Sequence, residues 1–202
     1  LGDEDYVRIV VGQARKHFEA VGGNPADLKL FINDYNLESD WDDNKKLKSL
    51  IHWIEVWEAD GVTKIDGIGT QMHVSCYANP DIQASKQEHV VKMLQLMAET
   101  GKLIKISELD MGYVDANGNT VATTAMTEEQ HQQMAAYYEF IVGKYFEIIP
   151  AAQQYGITQW CITDASGDLG TGWRGGEPVG LWDLNFNRKH TYAGFAAGLQ
   201  SK

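Results

Sequence analysis

The sequence predicts an α/β fold of alternating parallel strands and helices that forms part of a (β/α)8 barrel. Short apolar runs are followed by longer segments in which apolar residues recur every three or four positions, as in amphipathic helices. No GxGxxG or GxxxxGKS/T motif follows a run, which disfavours a nucleotide-binding sheet. Polar or aromatic side chains stand where each run ends, and (β/α)8 barrels gather their functional groups at the carboxyl ends of successive strands.

Four strands are predicted where a barrel needs eight, and the first predicted element is a helix. We therefore expect the C-terminal half of a barrel, about strands five to eight with their helices, as a single partial domain over residues 1–202. The predicted strands span residues 28–36, 65–74, 102–110 and 157–164. The predicted helices span residues 5–21, 44–61, 85–101, 127–149 and a segment from about 189.

Local signals set several of these bounds. Gly22 and Gly23 form a C-cap pair after the first helix, and a capping box of Ser85 and Glu88 predicts the start of the third helix. The polar loop over residues 115–120 has the Gly and Asn content of a hairpin.

The composition favours a neutral ligand. A net charge of −11 argues against nucleic acid and anionic membrane surfaces, which need clustered Lys and Arg. Six Trp, nine Tyr and six Phe on this acidic background suit a neutral substrate such as a sugar. No apolar run approaches the roughly 18 residues of a membrane span. The first ten residues have no basic region and no cleavage-type site, so any secretion signal lies outside this chain.

The two cysteines, Cys76 and Cys161, belong to no CxxC or Cys/His pattern, so we expect neither a metal site nor a cofactor. Each lies in or near an apolar strand, where a cysteine is typically a small buried hydrophobic residue. The sequence leaves open whether the two form a disulfide.

The stretch KISELDMGYV, residues 105–114, carries an unusual pair of side chains. An apolar run ends there in two acids, Glu108 and Asp110, and buried strands do not usually carry two carboxylates at their tip. Because the residues are two positions apart, their side chains point to the same face of a strand. On these residues alone, the acids are either solvated strand-end groups or groups aimed at a substrate.

The motifs around this pair follow one another in a specific order. The chain resembles the C-terminal half of glycoside hydrolase family 10, the endo-1,4-β-xylanases, from about residue 2 to 198, through LFINDYNLE, DGIGTQMHVS, ISELDM, ITQWCITD, GWR and GLWDLNFNRKHTY. The resemblance implies a (β/α)8 barrel and retaining hydrolysis of β-1,4 links in xylan or xylo-oligosaccharides. It also implies a secreted, periplasmic or cell-surface location.

The resemblance assigns roles at the cleavage site. A retaining glycosidase uses two carboxyl groups about 5–5.5 Å apart, one as nucleophile and one as acid/base. Glu108, at the end of the seventh barrel strand, is the implied nucleophile. Its carboxylate must stay ionised, which needs positive or hydrogen-bonding neighbours, and the family's motifs imply a relay of Glu108, His73 and Asp110.

The resemblance also implies a set of substrate-binding residues: Gln71, Tyr35, Asn36, Trp160, Trp173 and Arg174. Gln71 matches the residue that contacts the acid/base carboxylate, and Tyr35 and Asn36 match positions that line the leaving-group subsites. Trp160 and Trp173 match the tryptophans that frame the sugar ring, whose apolar C–H face packs on aromatic rings.

Two residues near these motifs depart from the family's usual residue, and two tryptophans are expected to have a structural role. Cys161 stands where the family usually has Gly, and Gly172 stands where it usually has Ser. Trp53 and Trp57 follow a helical repeat, and we expect them to pack against the core.

The resemblance implies a second carboxyl group that the matched segment does not carry. The family's acid/base Glu stands in an Asn-Glu motif at the end of the fourth strand, and no such motif precedes residue 5. We expect the isolated chain to be inactive and to pair with a second half-barrel, either a copy of itself or the missing N-terminal half. Two alternatives stay open: a non-catalytic xylan- or β-glycan-binding half-barrel, and another β-1,4-glycanase of the same barrel clan.

Overall fold

A computed structural model describes residues 5–200, which form five α-helices and five strands. The ends of the predicted domain, residues 1–4 and 201–202, lie outside the described residues. The strands are β1 (Phe31–Asp34), β2 (Gly67–Thr70), β3 (His73–Tyr77), β4 (Leu103–Val114) and β5 (Gln154–Gln159). The helices are α1 (Tyr6–Ala20), α2 (Lys45–Glu58), α3 (Pro80–Glu99), α4 (Glu128–Ile148) and α5 (His190–Leu199).

All pairs between these strands are parallel. The main order is β1-β2-β4, and β5 pairs with β4 on its other side. The short strand β3 follows β2 along the chain and pairs with the outer end of β4. Parallel neighbours need long crossover connections, which the helices provide here. The predicted α/β class with alternating strands and helices is confirmed.

The predicted strand over 65–74 is wrong as a single element. Met72 adopts a left-handed backbone conformation (φ 67°), which ends β2 and redirects the chain before β3 begins at His73. The new strand brings His73 into register with Asp110 on β4. The break therefore positions the histidine beside a carboxylate.

Strand β4 carries one residue more than either neighbour. Ile106 pairs with Thr70 and Asp110 pairs with His73. Between these pairs, β4 has three residues where the segment that joins β2 to β3 has two. The register with β5 shifts over the same stretch, between Ile106 and Leu109. This is a β-bulge, an irregularity that bends a strand and re-aims its side chains.

The core lies between the sheet and its helices. Ile68 and Ile106 on the strands are fully buried, as is Met97 on α3. Trp57 is buried and Trp53 packs against the core as a partly buried side chain, which confirms their predicted packing role. Apolar burial of this kind supplies the main favourable term in folding.

The buried Tyr145 on α4 ties β4 to β5. Its hydroxyl donates to the Ile104 carbonyl at 2.8 Å and accepts from the Gly156 amide at 3.1 Å. The β4–β5 register shifts between Ile104 and Lys105. The hydroxyl therefore gives a hydrogen-bond partner to backbone groups that the irregular strand pairing leaves unpaired.

The helix bounds lie within three residues of the predicted ones, except at the start of α3. That helix begins at Pro80, with Asn79 as N-cap accepting from the amides of the first turn, so the predicted start at Ser85 is wrong. Ser85 lies inside the helix and its hydroxyl donates to Asp40. Asn before Pro is the stronger helix-start signal, because proline fits the first helical position. No helix within residues 5–200 is long and apolar enough to cross a membrane.

The strand bounds differ more. β1 is shorter than predicted, β4 continues to Val114, and β5 starts and ends before its predicted limits. The predicted hairpin follows β4, where Val114 and Thr120 form an antiparallel bridge around a turn.

Replacing Tyr145 with Phe is expected to lower the free energy of unfolding by about 1–3 kcal/mol, because buried backbone groups lose their hydrogen-bond partner. Urea denaturation followed by circular dichroism measures the change. Tyr155→Phe is the control, since Tyr155 is half exposed and should change stability by less than about 0.5 kcal/mol. Equal stability of the two variants would contradict the role assigned to the Tyr145 hydroxyl.

Candidate active site

The site is built around Glu108, where the carboxyl ends of the strands meet. The Glu108 side chain is 21% exposed. Asn33 Nδ2 donates to Glu108 Oε1 at 3.3 Å, and His73 Nε2 lies 3.4 Å from Oε2. Ser107 Oγ donates to Asn33 Oδ1 at 2.7 Å, which turns the amide nitrogen of Asn33 towards Glu108. The carboxylate is thus held from two sides while part of it faces solvent.

The His73 ring lies between two carboxylates. Its Nε2 faces Glu108, and its Nδ1 lies 3.2 Å from Asp110 Oδ2. The second contact is within ion-pair distance, but Nδ1 has no hydrogen bond of good geometry among the described residues. The contact between His73 Nδ1 and Asp110 is therefore electrostatic. The structure brings together the three residues of the predicted relay.

Asp110 is completely buried and is compensated from a distant part of the chain. Trp173 Nε1 donates to Oδ2 at 2.9 Å, and Arg174 Nη1 lies 3.3 Å from Oδ1. Both residues belong to the long loop over residues 165–187. The loop therefore completes the site by neutralising and hydrogen-bonding a buried carboxylate.

Arg174 contacts other protein groups as well. Its guanidinium donates to the Val74 carbonyl at 3.0 Å and pairs with Glu177 at 2.8 Å. Gly112 makes room for this pair, since a Cβ atom there would come within 2.0 Å of Arg174 and 2.1 Å of Glu177. These contacts give Arg174 a supporting position behind Asp110. Its substrate-binding role stays a prediction.

Two tryptophans form walls around His73. The Trp173 and Trp160 rings lie 4.5 Å and 6.0 Å from the His73 ring, both edge-on, and 6.3 Å from each other. Both indoles are half exposed. Flat apolar surfaces beside a carboxylate suit a ligand with one apolar face and several hydroxyls, as a pyranose has.

The long loop is anchored at its ends by a buried ion pair. Lys189 Nζ contacts Asp164 and also donates to the Pro178 and Gly180 carbonyls. Burial lowers the pKa of Lys189, and Asp164 opposes that shift. Thr123 donates to the same carboxylate. This network fixes the segment that carries Trp173.

The remaining predicted site residues lie around this centre with fewer contacts to it. Gln71 is adjacent to Glu108 through a backbone hydrogen bond of 3.1 Å. Tyr35 is exposed, and Lys46 Nζ lies 3.5 Å from its ring centre. Asn36 has a left-handed backbone (φ 56°) and lines a cavity that His73 also lines. Their roles towards a substrate stay predictions.

Sequence reasoning missed the contribution of Asn33, which holds Glu108 from the β1 side. Its place at a strand end was visible, but its distance from Glu108 depends on the curvature of the sheet. The cysteines Cys76 and Cys161 are both free, which answers the open question of a disulfide. Burial and then Asp110 raise the pKa of the Cys161 thiol to about 11. Within residues 5–200, no group of three or more His, Cys, Asp or Glu side chains is arranged to hold a metal ion.

The fold and site together define a partial (β/α) barrel with a carboxylate–histidine centre at the carboxyl ends of its strands. The sequence profile of Glycosyl hydrolase family 10 matches residues 1–197. The chain belongs to this family. Comparison with solved structures confirms the fold prediction, because the structural relatives are family 10 TIM barrels that the chain matches in part.

Two related sequences and one solved structure illustrate the match. The chain is 29% identical over 189 residues to endo-beta-1,4-xylanase Xyn10C of Cellvibrio japonicus, covering 89% of this chain and 29% of that protein. It is 27% identical over 198 residues to endo-1,4-beta-xylanase B of Humicola insolens, covering 96% of this chain and 51% of that protein. The solved structure of a mutant of xylanase 10C from Cellvibrio japonicus, in complex with xylopentaose, superposes on this chain with a TM-score of 0.76 at 25% identity. The match covers 99% of this chain and 38% of that one. The chain thus spans about half or less of the length of these relatives.

Arg174→Met is expected to lower the free energy of unfolding by about 3 kcal/mol, because the buried Asp110 and the partly buried Glu177 both lose the guanidinium that pairs with them. Removing Glu177 as well, in Arg174→Met/Glu177→Met, should recover part of that loss, since one uncompensated charge disappears. Urea denaturation of both variants gives the comparison.

Arg188→Met serves as the control for Arg174→Met. Arg188 is exposed, with its guanidinium 4.7 Å from the Tyr192 ring, and its loss should cost less than about 1 kcal/mol. If Arg174→Met were no more costly than Arg188→Met, Arg174 would not be the counter-charge of Asp110.

Proposed function

We propose that this chain is the nucleophile-bearing part of a retaining endo-1,4-β-xylanase. The observation that carries the proposal is the position of Glu108, held between Asn33 and His73 with part of its carboxylate open to solvent, in a family 10 chain. The names of the relatives, which are xylanases, supply the substrate class. The solved relative with xylopentaose supports a xylo-oligosaccharide as ligand.

In the proposed reaction, a Glu108 oxygen attacks the anomeric carbon and forms an ester to the sugar while the glycosidic C–O bond breaks. The leaving oxygen takes a proton from a carboxylic acid on the other part of the barrel. Water then attacks the same anomeric carbon, gives a proton to that group, which is now a carboxylate, and breaks the bond from the sugar to Glu108, which leaves as a carboxylate. Asn33 and His73 hold the carboxylate in place for attack. Trp160 and Trp173 seat the sugar beside it.

The acid/base carboxyl is assigned to a second half-barrel. Two features of the described residues, and the length of the relatives, support such a partner. The outer edges of β1 and β5 have no strand neighbour in the described sheet, and unpaired edges readily accept another strand. Ile9 and Val10 on α1 are exposed apolar side chains. The relatives extend well beyond the matched segment. We assign the partner as the N-terminal half of the same barrel.

A location outside the cytoplasm is part of the proposal. Xylan is a polymer that a cell meets at its surface, so an enzyme that cleaves internal links would act as a secreted, periplasmic or cell-surface protein. Immunodetection of the natural protein in culture fluid and cell fractions would locate it.

The two parts of the barrel should be active only together. Co-produced with the polypeptide that supplies the N-terminal half, the chain should elute as a one-to-one complex and release reducing ends from xylan. The chain alone should bind xylotriose with little hydrolysis, since losing general acid catalysis costs a factor of about 10²–10⁴. Glu108→Gln in the complex should lower kcat at least about a thousandfold.

Glu139→Gln, on the exposed side of α4, is the matched control and should keep full activity. If the chain alone elutes as a compact monomer on size-exclusion chromatography and unfolds cooperatively, this would argue against the second half-barrel. Binding without turnover in the assembled complex would favour the non-catalytic alternative. Faster cleavage of another β-1,4-glucan than of xylan would favour the other glycanase.

A further inference from the structure

The sheet has one face that packs on the helices and an opposite face that the helices do not cover. Ile104 and Ile106 on β4 are fully buried in the core on the helix side. Because successive side chains of a strand point to opposite faces, Lys105 points away from the helices. The sheet curves towards that side, since the rings of Phe31 on β1 and Tyr155 on β5 lie 4.7 Å apart although two strands separate them. We call this surface the inner face and define it by Phe31, Asn33, Lys105, Ser107 and Tyr155.

Lys105 stands between glycines of both neighbouring strands. Its register partners are Gly69 on β2 and Gly156 on β5, and Asn33 on β1 pairs with Gly69. A Cβ atom on Gly69 would come within 2.4 Å of Asn33 Oδ1, so the asparagine leans across β2 over the bare glycine. At this level of the sheet, neither neighbouring strand therefore offers a side chain to the lysine.

Lys105 has no counter-charge within residues 5–200. The residue is partly buried, and its amine forms no hydrogen bond or ion pair with another residue of that range. Glu108 is an acid on the same strand, but its carboxylate is held by Asn33 and His73. Lysines are almost never fully buried unless they are paired. The unpaired amine is therefore tolerated only while the inner face is open to water.

Aromatic rings lie next to the lysine on the inner face. Gly67 pairs with Leu103, two positions before Lys105, and a Cβ atom on Gly67 would come within 2.1 Å of the Phe31 ring. The Phe31 ring thus passes over Gly67 on its way to Tyr155, whose side chain is 49% exposed. A surface that combines an unpaired cation with exposed rings is complementary to one that carries an acid among apolar groups.

We propose that the N-terminal half of the barrel closes over the inner face and places an Asp or Glu side chain against Lys105. The inference rests on the proposed function, which assigns that half as the partner. Inward-pointing side chains of all the strands fill the interior of a (β/α)8 barrel, so closure takes Lys105 out of water. A charge buried in this way needs an opposite charge beside it. The matched relatives are long enough to contain the closing half, since this chain spans 29% and 51% of them.

A second copy of this chain fits the inner face less well. At the level of Lys105, the copy would present Asn33, Gly69, Lys105 and Gly156, which include no acid. A homodimer closed over the two inner faces would therefore bury two unpaired lysines. Each copy also carries a net charge of −11, so the two copies repel each other over longer distances.

The stability of the complex between the two half-barrels tests this pairing. The chain is co-produced with the N-terminal half, and analytical ultracentrifugation of the diluted complex gives its dissociation constant. Lys105→Met should raise that constant about a hundredfold, because the carboxylate of the partner is then buried without a counter-charge. Lys105→Arg keeps the charge and should bind more tightly than Lys105→Met. Lys45→Met is the control, since Lys45 is exposed at the start of α2, and should leave the constant unchanged.

Charge reversal adds a result that a merely structural role of Lys105 would not give. Lys105→Glu should prevent the two halves from co-purifying, because it sets two carboxylates against each other. Changing one inward-pointing Asp or Glu of the N-terminal half to Lys should then restore the complex and identify the partner residue.

Equal dissociation constants for the parent complex and Lys105→Met would overturn the pairing. If those complexes still hydrolysed xylan, the proposed function would stand. Failure of the parent chain to co-purify with the N-terminal half, or its recovery as a homodimer instead, would overturn both the pairing and the partner on which it rests.

Discussion

A carboxylate buried away from water needs donors and counter-charges, and Asp110 draws them from separate parts of the chain. Strand β4 sets Glu108 two positions before it, and β3 brings His73 into register with it. The long loop after β5 supplies Trp173 and Arg174. These segments adopt one arrangement because each of them contacts the same buried group. The geometry at the partly exposed Glu108 therefore depends on a residue that has no exposed surface of its own.

The bulge in β4 adds the second constraint. In a regular strand, Ser107 and Glu108 would point to opposite faces of the sheet. With one extra residue in this stretch, both reach Asn33 on β1. Asn33 thereby holds the Glu108 carboxylate from one side while His73 holds it from the other. A bulge disrupts the hydrogen bonds of a sheet locally, and bulges are over-represented next to active sites.

The sequence was most informative where a local pattern decides the structure. The alternation of strands and helices followed from apolar periodicity, and the order of the motifs, through the family resemblance, placed Glu108 and His73 in one relay. The break at Met72 and the bulge in β4 could not be predicted, because register depends on partner strands distant in sequence. The start of α3 was misplaced since Ser85 offered one capping pattern and the segment before Pro80 offered a stronger one. The sugar contacts of Trp160 and Trp173 stay predictions.

The product formed with azide tests most directly whether Glu108 attacks the sugar. In the assembled barrel, Glu108→Ala should lose activity and recover it when azide is added with an activated aryl β-xylobioside. Azide would enter the space left by the carboxylate and attack from that face, so we expect an α-linked glycosyl azide, identified by nuclear magnetic resonance. A β-linked azide would instead assign Glu108 as the acid/base group and would contradict the account.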